Sequence, residues 1–386
     1  MKPAINKLHY RYICPVLYII CIFMLLYCNS FAQKSKTKKY VVTGYVGGFR
    51  GLVNTTLIDA QKLTHIIYAF VDCRDSMAVL TNLKTDSINF WNLNKLKLLN
   101  PDLKITISIG GWAWSNYFSD AVLTPTSRAL FAKTSVDIIR KYYLDGVDVD
   151  WEYPGQRGED NVFRPEDKEN YTLMFKAIRQ ELDSLTAQTG KRYELTAAVG
   201  GAQSFIDHTE MAEIGKILDY VYLMTYDYSG PNETVGHHTN LYADDEKTPG
   251  SSADRSIKNY IAAGVPREKL GIGAAFYGKG WLTESKENNG LGQKKLKNER
   301  QTAGGYTVIK DSLVNNRGYS RYWDKKAKAP YLFNPETNVF ITYDDEKSVS
   351  AKCKYVKKNK LAGIFFWEYF SDPKAYLLTA INKDLN

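Results

Sequence analysis

The feature that most restricts the fold is a series of eight short runs rich in β-branched and aromatic residues. Amphipathic segments such as Arg128–Tyr142 and Asn170–Thr186 lie between these runs, which have the length of strands. Nearly continuous apolar strands favour parallel pairing with both faces of the sheet covered. Eight strand–helix units in one series therefore predict an α/β fold, a closed (β/α)8 TIM barrel over residues 40–386. The predicted strands are Tyr40–Val46, His65–Val71, Lys104–Ile109, Gly146–Trp151, Glu194–Val199, Tyr220–Thr225, Leu270–Phe276 and Leu361–Trp367.

One connection breaks this alternation. From Tyr277 to Tyr343 the chain is rich in Gly, Lys, Asn and Tyr before the next helical pattern begins. A loop of this length without secondary structure is uncommon in a compact domain. We therefore predict a small α+β insertion over residues 277–343, between the seventh strand and the last βα unit.

The first 32 residues are predicted to be a signal peptide, outside the fold. Basic residues precede the apolar stretch Pro15–Cys28, which is shorter than the roughly 20 residues that a spanning helix needs. The small-residue site Ser30–Ala32 follows it. We expect a secreted or periplasmic protein without a membrane span. A lipid anchor at Cys28 is the alternative, which the bulky Tyr27 disfavours.

Charge, cysteines and motifs exclude several classes of function. The net charge of +9 includes the leader and a basic linker over residues 33–39, which we interpret as a solvated spacer, so no nucleic-acid partner is expected. After the leader only Cys73 and Cys353 remain, and either one bridge or two free thiols fits them. His237 and His238 have no partners at ligand spacing, and no phosphate-binding glycine loop or CxxC pair occurs. The sequence predicts no metal, no cofactor and a monomer.

The segment Leu144–Pro154 carries carboxyl groups at alternate positions of an apolar run, namely Asp148, Asp150 and Glu152. Alternate side chains of a strand share one face, so the three carboxyls are predicted to form a file. Because adjacent negative charges repel, we expect one or more protons to be retained near neutral pH. A protonated Glu152 would then serve as a general acid. An acidic edge strand or a loose cation site is the alternative.

Residues at the carboxyl ends of the predicted strands converge on one rim, where such barrels carry their chemistry. A tyrosine or tryptophan at a strand end is more often part of the core. A group of them beside three carboxyls indicates a cleft with an aromatic floor. The residues predicted at this rim are Tyr45, Phe70, Ser108, Trp112, Glu152, Met224, Tyr226, Asp227 and Trp367.

The run Asp145–Glu152 resembles the signature of glycoside hydrolase family 18, the chitinases and their relatives. Further matches follow in the family's order, and the similarity covers essentially the whole mature chain. The acidic motif is highly specific. The supporting matches are Ser108–Gly111, Met224–Asp227, Gly236–Tyr242, Phe276–Gly280, Tyr343–Asp345 and Phe366–Glu368.

The resemblance implies catalytic roles for several residues. Glu152 would protonate the glycosidic oxygen of the leaving sugar. Asp150 would turn between Asp148 and the substrate, where it orients and stabilises the acetamido group. Tyr226 would donate a hydrogen bond to the acetamido carbonyl, and Asp227 would contact the same sugar.

The resemblance also implies a binding surface. Trp367 would form the floor under the ring at the cleavage point, and Trp112 a stacking platform on the leaving-group side. Asp145 has the wrong strand parity for the acidic file and is given a supporting role. Lys279 stands where many relatives carry Arg, which removes a bidentate contact to a sugar. The remaining predicted substrate-binding residues are Tyr45, Phe70 and Met224.

Family 18 enzymes are an exception among glycosidases because their hydrolysis is substrate-assisted. Only Glu152 lies where an acid should, so the acetamido oxygen of N-acetylglucosamine is predicted to attack its own anomeric carbon. Asp150 and Tyr226 would stabilise the oxazolinium-like intermediate. The expected activity is that of a chitinase, which hydrolyses β-1,4 bonds in chitin or N-acetylglucosamine oligosaccharides with retention of configuration.

Two other functions are weighed against this one. An endo-β-N-acetylglucosaminidase acting on N-glycans shares the acidic motif, but in the family it usually lacks the insertion. A chitin-binding lectin-like protein would have lost Glu152 or its aspartate neighbours, and all three are present. Endo and exo action both remain open.

Overall fold

The computed structural model describes residues 40–228, 233–244 and 250–386. The predicted signal peptide (1–32), the linker (33–39) and the alternative anchor at Cys28 lie outside the described residues. Within those ranges no helix combines the length and apolar character needed to span a bilayer. Cys73 and Cys353 are both buried and free, which selects two thiols over one bridge.

Strands and helices alternate along the described chain. The strands are β1 (Val41–Gly47), β2 (His65–Arg74), β3 (Met77–Leu80), β4 (Lys104–Gly110), β5 (Gly146–Asp150), β6 (Glu194–Gly200), β7 (Tyr220–Met224), β8 (Leu270–Ala275), β9 (Tyr277–Thr283), β10 (Lys295–Gly305), β11 (Ser320–Asp324), β12 (Ala329–Asn334), β13 (Val339–Thr342) and β14 (Gly363–Trp367). The helices are α1 (Leu83–Lys95), α2 (Phe118–Ala121), α3 (Pro125–Lys141), α4 (Asp167–Thr189), α5 (Gln203–Asp207), α6 (Met211–Ile217), α7 (Ala253–Ala262), α8 (Tyr306–Ser312), α9 (Glu346–Asn359) and α10 (Tyr376–Leu385).

A closed parallel barrel forms the centre of the molecule. In the described part of the chain eight strands take part, in the order β1-β14-β8-β7-β6-β5-β4-β2, and pairing of β1 with β2 closes the ring. The short β3 pairs antiparallel with β2 outside it. Strand residues such as Val147 and Val149 join helix residues such as Phe131 and Phe175 in the main apolar cluster. The predicted (β/α)8 barrel is confirmed.

Local sequence explains where several helices begin and end. Thr124 and Ser127 form a capping box at the start of α3, with Pro125 as its first residue. Asp345 and Ser348 form the same arrangement at the start of α9. Helix α4 ends at Gly190, whose φ of 72° is the left-handed conformation that glycine adopts at little cost.

The chain between β8 and α9 forms a second sheet. Within the described ranges its strands are antiparallel in the order β10-β9-β13-β12-β11, and α8 lies between β10 and β11 in the chain. Trp281, Phe333 and Phe340 belong to an apolar cluster of its own. Because β9 begins two residues after β8 ends, its first residues, Tyr277 and Lys279, lie at the barrel rim.

At the amino-terminal end of β5 a carboxylate is buried between two lysines. Asp145 Oδ2 lies 2.6 Å from Lys97 Nζ, and Oδ1 lies 2.7 Å from Lys191 Nζ. The backbone N–H of Ile105 donates to Oδ2 at 2.8 Å. Burial would raise the pKa of Asp145, but the Lys97 charge and the hydrogen bonds from both lysines outweigh it and hold the pKa below its ordinary value. This end of a barrel serves stability.

Candidate active site

A cleft of about 990 Å³ opens at the carboxyl ends of the barrel strands. It gathers side chains that are far apart in the sequence. The predicted site residues that line it are Phe70, Trp112, Asp150, Glu152, Met224, Tyr226, Asp227 and Trp367. Tyr45 and Asp148 do not line it, because both are buried beneath it.

Asp148 is the innermost carboxyl of the acidic file and is fully buried. Its Oδ2 accepts hydrogen bonds from Tyr45 Oη at 2.9 Å and Ser108 Oγ at 2.8 Å, and its Oδ1 accepts one from Thr196 Oγ1 at 2.5 Å. Burial raises the pKa of Asp148 to about 6, although the three hydroxyl donors favour the charged form. Tyr45 was predicted to contact substrate. The structure places the Tyr45 side chain beneath the cleft, with its hydroxyl donating to Asp148.

Asp150 ends β5 and is the first carboxyl of the file that lines the cleft. Among the described residues its Oδ1 is buried without a hydrogen-bond partner. Burial raises the pKa of Asp150 well above its ordinary value, and the negative charges of Glu152 and Asp148 raise it further. A buried carboxyl oxygen of this kind is costly unless a partner arrives. Asp150 is therefore prepared to accept a donor from a bound molecule.

Glu152 lies two residues beyond the end of β5, because the strand ends at Asp150 and not at Trp151 as predicted. The ladder of β5 with β4 ends at the pair Gly110–Asp150. The backbone N–H of Glu152 then donates to Ser115 Oγ at 2.9 Å instead of to a neighbouring strand. Since the Ser115 hydroxyl lies 3.2 Å from the Asp150 carbonyl oxygen, it fixes the chain that carries the acid.

Burial is the largest cause of the raised pKa of Glu152, which reaches about 7. A hydrogen bond with Tyr153 opposes the rise, and the charge of Asp227 adds to it. We predicted that the neighbouring aspartates would keep the proton on Glu152. Burial has the larger part, Asp227 adds to it, and the repulsion between Glu152 and Asp150 raises the pKa of Asp150. A glutamic acid with this pKa is half protonated near neutral pH, as a general acid and base requires.

Asp227 follows β7 with a φ of 66° and is held from three sides. Its Oδ1 accepts a hydrogen bond from Tyr277 Oη at 2.6 Å and lies 2.5 Å from Lys279 Nζ. His238 Nδ1 lies 3.5 Å away. Burial opposes ionisation, but the contact with His238 and the charge of Lys279 hold the pKa of Asp227 well below its usual range. Asp227 is therefore a carboxylate, in contrast to Asp150.

His237 and His238 are both buried. His237 Nε2 lies 3.1 Å from Asp324 Oδ2, and burial lowers the pKa of His238 beside Asp227. In the described ranges, no group of three or more His, Cys, Asp or Glu side chains is arranged to hold a metal ion.

The floor of the cleft is aromatic. The ring centroids of Trp367 and Phe70 lie 5.4 Å apart, with planes 18° apart. Phe49 lies 6.3 Å from Trp367 and 6.4 Å from Phe70, with planes within 12° of each. Trp114 packs against Phe49 at 5.8 Å. These nearly parallel rings offer a flat apolar surface beside the carboxyls.

Sequence reasoning missed several residues of this cleft. Phe49 follows the first strand within Gly47–Gly51, and this glycine-rich turn at a strand end was a usable signal. Tyr277 falls in a segment matched by the resemblance but was given no role. Ser115 carried no signal, because only the fold brings it to Glu152. The missed residues are Phe49, Trp114, Ser115, Tyr153 and Tyr277.

Comparison with known proteins agrees with this geometry. The family model described as glycosyl hydrolases family 18 matches residues 27–372. Chitinase A1 of Niallia circulans is 35% identical over 92% of this chain. The solved structure of a family 18 N-acetylglucosaminidase from Paenibacillus barengoltzii is 41% identical, with a TM-score of 0.83, and the match covers 89% of this chain and 99% of that one. Chitinase ChiA74 from Bacillus thuringiensis is 34% identical, with a TM-score of 0.84 and coverage of 90% and 69%.

A closed parallel barrel with carboxyls at the carboxyl ends of its strands is the arrangement of a barrel enzyme. The chain belongs to glycosyl hydrolases family 18. It spans 60% of the length of chitinase A1 and nearly all of the N-acetylglucosaminidase.

Proposed function

We propose that the protein is a chitinase, which hydrolyses β-1,4 bonds between N-acetylglucosamine units by a retaining, substrate-assisted mechanism. The observation that carries the proposal is the pairing of two different carboxyls in one cleft. Glu152 has a pKa raised to about 7, and Asp150 Oδ1 is buried without a partner among the described residues. The acetamido N–H of a bound sugar is a donor that would satisfy Asp150.

Glu152 is the proposed general acid and base. At neutral pH part of the population carries the proton that the leaving oxygen needs, and the same carboxyl, once it has given up this proton, accepts one from the attacking water. The hydrogen bond of its backbone N–H to Ser115 keeps its main chain in place during both steps.

Substrate assistance follows from the state of the other carboxyls. A nucleophile must be ionised, but burial and two neighbouring charges raise the pKa of Asp150 well above its ordinary value. Asp227 is ionised but is bound by Tyr277 and Lys279. The acetamido oxygen of the substrate is then the available nucleophile. Asp150 would accept a hydrogen bond from the acetamido N–H as the oxazolinium-like intermediate forms, and Tyr226 would donate one to the acetamido oxygen.

The aromatic surface supports a sugar polymer as substrate. Trp367 would lie under the ring at the cleavage point, while Phe70 and Phe49 extend the floor on one side. Trp112 is 47% exposed at the cleft and is suited to stack on the leaving-group side. Chitin or its oligosaccharides present the alternating apolar faces and acetamido groups that this surface fits.

The test compares hydrolysis of chitin oligomers with that of a high-mannose glycopeptide, with anomers followed by proton NMR. We expect cleavage of the oligomers with the β anomer formed first. Initial formation of the α anomer would contradict substrate-assisted retention. Cleavage of the glycopeptide alone would favour an endo-β-N-acetylglucosaminidase instead.

One comparison favours a second candidate. The relative from Paenibacillus barengoltzii, which the chain matches over almost its whole length, is described as an N-acetylglucosaminidase. The protein would then release single N-acetylglucosamine units. Product analysis of a hexamer digest separates the two, because a chitinase releases dimers or longer products early and an N-acetylglucosaminidase releases monomer from the first minutes.

Export by the leader over residues 1–32 is also a proposal, which N-terminal sequencing of the secreted protein would test.

A further inference from the structure

A lysine lies fully buried behind the active-site strands. Lys352 of α9 donates from Nζ to Asp344 Oδ2 and to Thr239 Oγ1, both at 2.6 Å. The Lys352 ammonium group also donates to the carbonyl oxygen of Gly273 in β8, at 3.1 Å. These contacts use all three protons of the ammonium group. Lysine is almost never fully buried unless it is paired in this way.

Two of these partners hold Thr225, which directly precedes the site pair Tyr226–Asp227. Thr225 Oγ1 donates to the Gly273 carbonyl oxygen at 2.8 Å and accepts from the Gly273 N–H at 2.9 Å. The single proton of the Thr239 hydroxyl is shared between Asp344 Oδ2 at 2.9 Å and the Thr225 carbonyl oxygen at 3.3 Å. The lysine therefore holds, through two neighbours, both the side chain and the main chain at the end of β7.

The loop that carries Thr239 also borders Asp227. The N–H of His238 donates to Thr342 Oγ1 at 3.2 Å, and the His238 carbonyl accepts from the Tyr228 N–H at 3.1 Å. The same histidine places its ring beside Asp227. A shift of this loop would therefore move the His238 ring beside Asp227 and the main chain of Tyr228, which follows Asp227.

We propose that Lys352 and Thr239 are positioning residues, which fix Tyr226 and Asp227 relative to Glu152. Neither residue lines the cleft, so they act through the end of β7 and not on the substrate. The kinetic part of the proposal rests on the proposed function. The structural part does not.

The test uses a matched pair of substitutions. Thr239→Val removes the hydroxyl but keeps the side-chain shape, and Thr239→Ser keeps the hydroxyl. Since small misplacements near the reacting groups are costly, we expect Thr239→Val to lower kcat on a chitin oligomer about tenfold to hundredfold. Thr239→Ser should restore most of the rate. Lys352→Met is the stronger variant, to be read only where circular dichroism shows folded protein.

The pH profile separates positioning from simple destabilisation. Displacing Asp227 changes its charge effect on Glu152, so the alkaline limb of kcat/KM should shift in Thr239→Val. The titratable groups around this pair are Asp150, Tyr153, Tyr226, His238, Tyr277 and Lys279. The control is Lys97→Met, which removes one of the two lysine contacts of the buried Asp145 at the opposite end of the barrel. It should lower stability and leave both kcat and the limb at wild-type values.

Crystal structures of wild type and Thr239→Val decide the structural part without any assay. We expect the Tyr226 side chain and the contact between Asp227 and Lys279 to be displaced in the variant. An unchanged Tyr226 and Asp227, or a folded Thr239→Val with wild-type kcat and limb, would overturn the proposal. An inactive wild type would sink the proposed function instead, and the two crystal structures would still decide between positioning and no positioning.

Discussion

The two ends of β5 treat the same kind of side chain in opposite ways. At the amino end, Asp145 contacts two ammonium groups, and its pKa is held below the ordinary value. Towards the carboxyl end, Asp148 accepts hydrogen bonds from hydroxyls, and Asp150 is buried near the negative charges of Glu152 and Asp148; both pKa values are raised. Both ends are buried. The charge of the neighbouring groups, and not burial alone, therefore decides whether a buried carboxyl is ionised and stabilises the fold or keeps its proton at higher pH.

The difference also separates stability from chemistry within one strand. A carboxyl with a lowered pKa stabilises the fold at neutral pH, whereas one with a raised pKa reduces stability there. Glu152 belongs to the second kind. The barrel thus concentrates its unfavourable charges at the rim, where a substrate can use them.

The largest expected effect comes from replacing Glu152, the proposed general acid. Glu152→Gln keeps the shape of the side chain but cannot release or take up a proton. Loss of general acid–base catalysis should lower kcat on chitin oligomers by about 10²–10⁴-fold. Calorimetry should show oligomer binding close to that of wild type. Hydrolysis by the variant at a near-normal rate would refute the assignment.

Replacing the carboxylate at the opposite end should affect stability and not the rate. Asp145→Asn removes the charge that two lysines contact, and the loss of such charged hydrogen bonds costs about 1–3 kcal/mol in free energy of unfolding. The lower part of this range is expected because the lysine side chains are 24% and 38% exposed. Urea unfolding measures the loss, and initial rates of the folded variant should match wild type. A tenfold fall in kcat would contradict the division between the two ends.

The two ends should also give stability opposite dependences on pH. The folded state holds protons on Asp148 and Glu152 up to about pH 6 and about pH 7, whereas their ordinary pKa values are 3.8 and 4.5. The contribution of Asp148 to stability therefore falls as pH rises from 3.8 to about 6, and that of Glu152 falls from 4.5 to about 7. Asp145, with its lowered pKa, contributes stability above pH 3.8 that is lost as pH falls through its folded value.

Urea unfolding of wild type, Glu152→Gln and Asp145→Asn across this range tests the signs. Glu152→Gln should gain stability relative to wild type as pH rises from 5 to 8. The deficit of Asp145→Asn should shrink as pH falls below 4. Parallel curves for all three proteins would show that the two ends do not differ in this respect.

The smallest expected effect concerns the alkaline limb of activity, which should lie near the raised pKa of Glu152. Asp227→Asn removes a negative charge that raises this pKa, so the limb should move to lower pH by about 0.3–1 unit. Lys279→Met leaves Asp227 without its cation and should move the limb the other way. The pH dependence of kcat/KM measures both. Shifts of the same sign would show that Asp227 does not set the pKa of the acid.

The barrel could be predicted because its strands are apolar on both faces and recur with helices between them. Strand starts such as His65 and Lys104 fall where the apolar runs begin. Boundaries set by capping were less accessible. Helix α3 starts at Pro125 and not at Arg128, because Thr124 caps it.

The acidic file could be predicted from alternation alone, but its chemistry could not. Alternation predicts that Asp148 and Asp150 share one face of the strand. Only the fold shows that the hydroxyls of Ser108 and Thr196 donate to Asp148, whereas Oδ1 of Asp150 has no partner in the described chain. The connection of Lys352 to Thr225 crosses elements that no sequence period links. Such contacts depend on side chains brought together from different βα units.

The attachment of Asp227 to β9 has a consequence for engineering. Tyr277 and Lys279 come from the first residues of the second sheet, and both contact the same carboxylate oxygen. The second sheet therefore influences the charge of Asp227 and, through it, the pKa of Glu152. It cannot be exchanged without changing these groups. Replacing this segment with the equivalent one from another enzyme would change the pH range of activity together with the contacts to substrate.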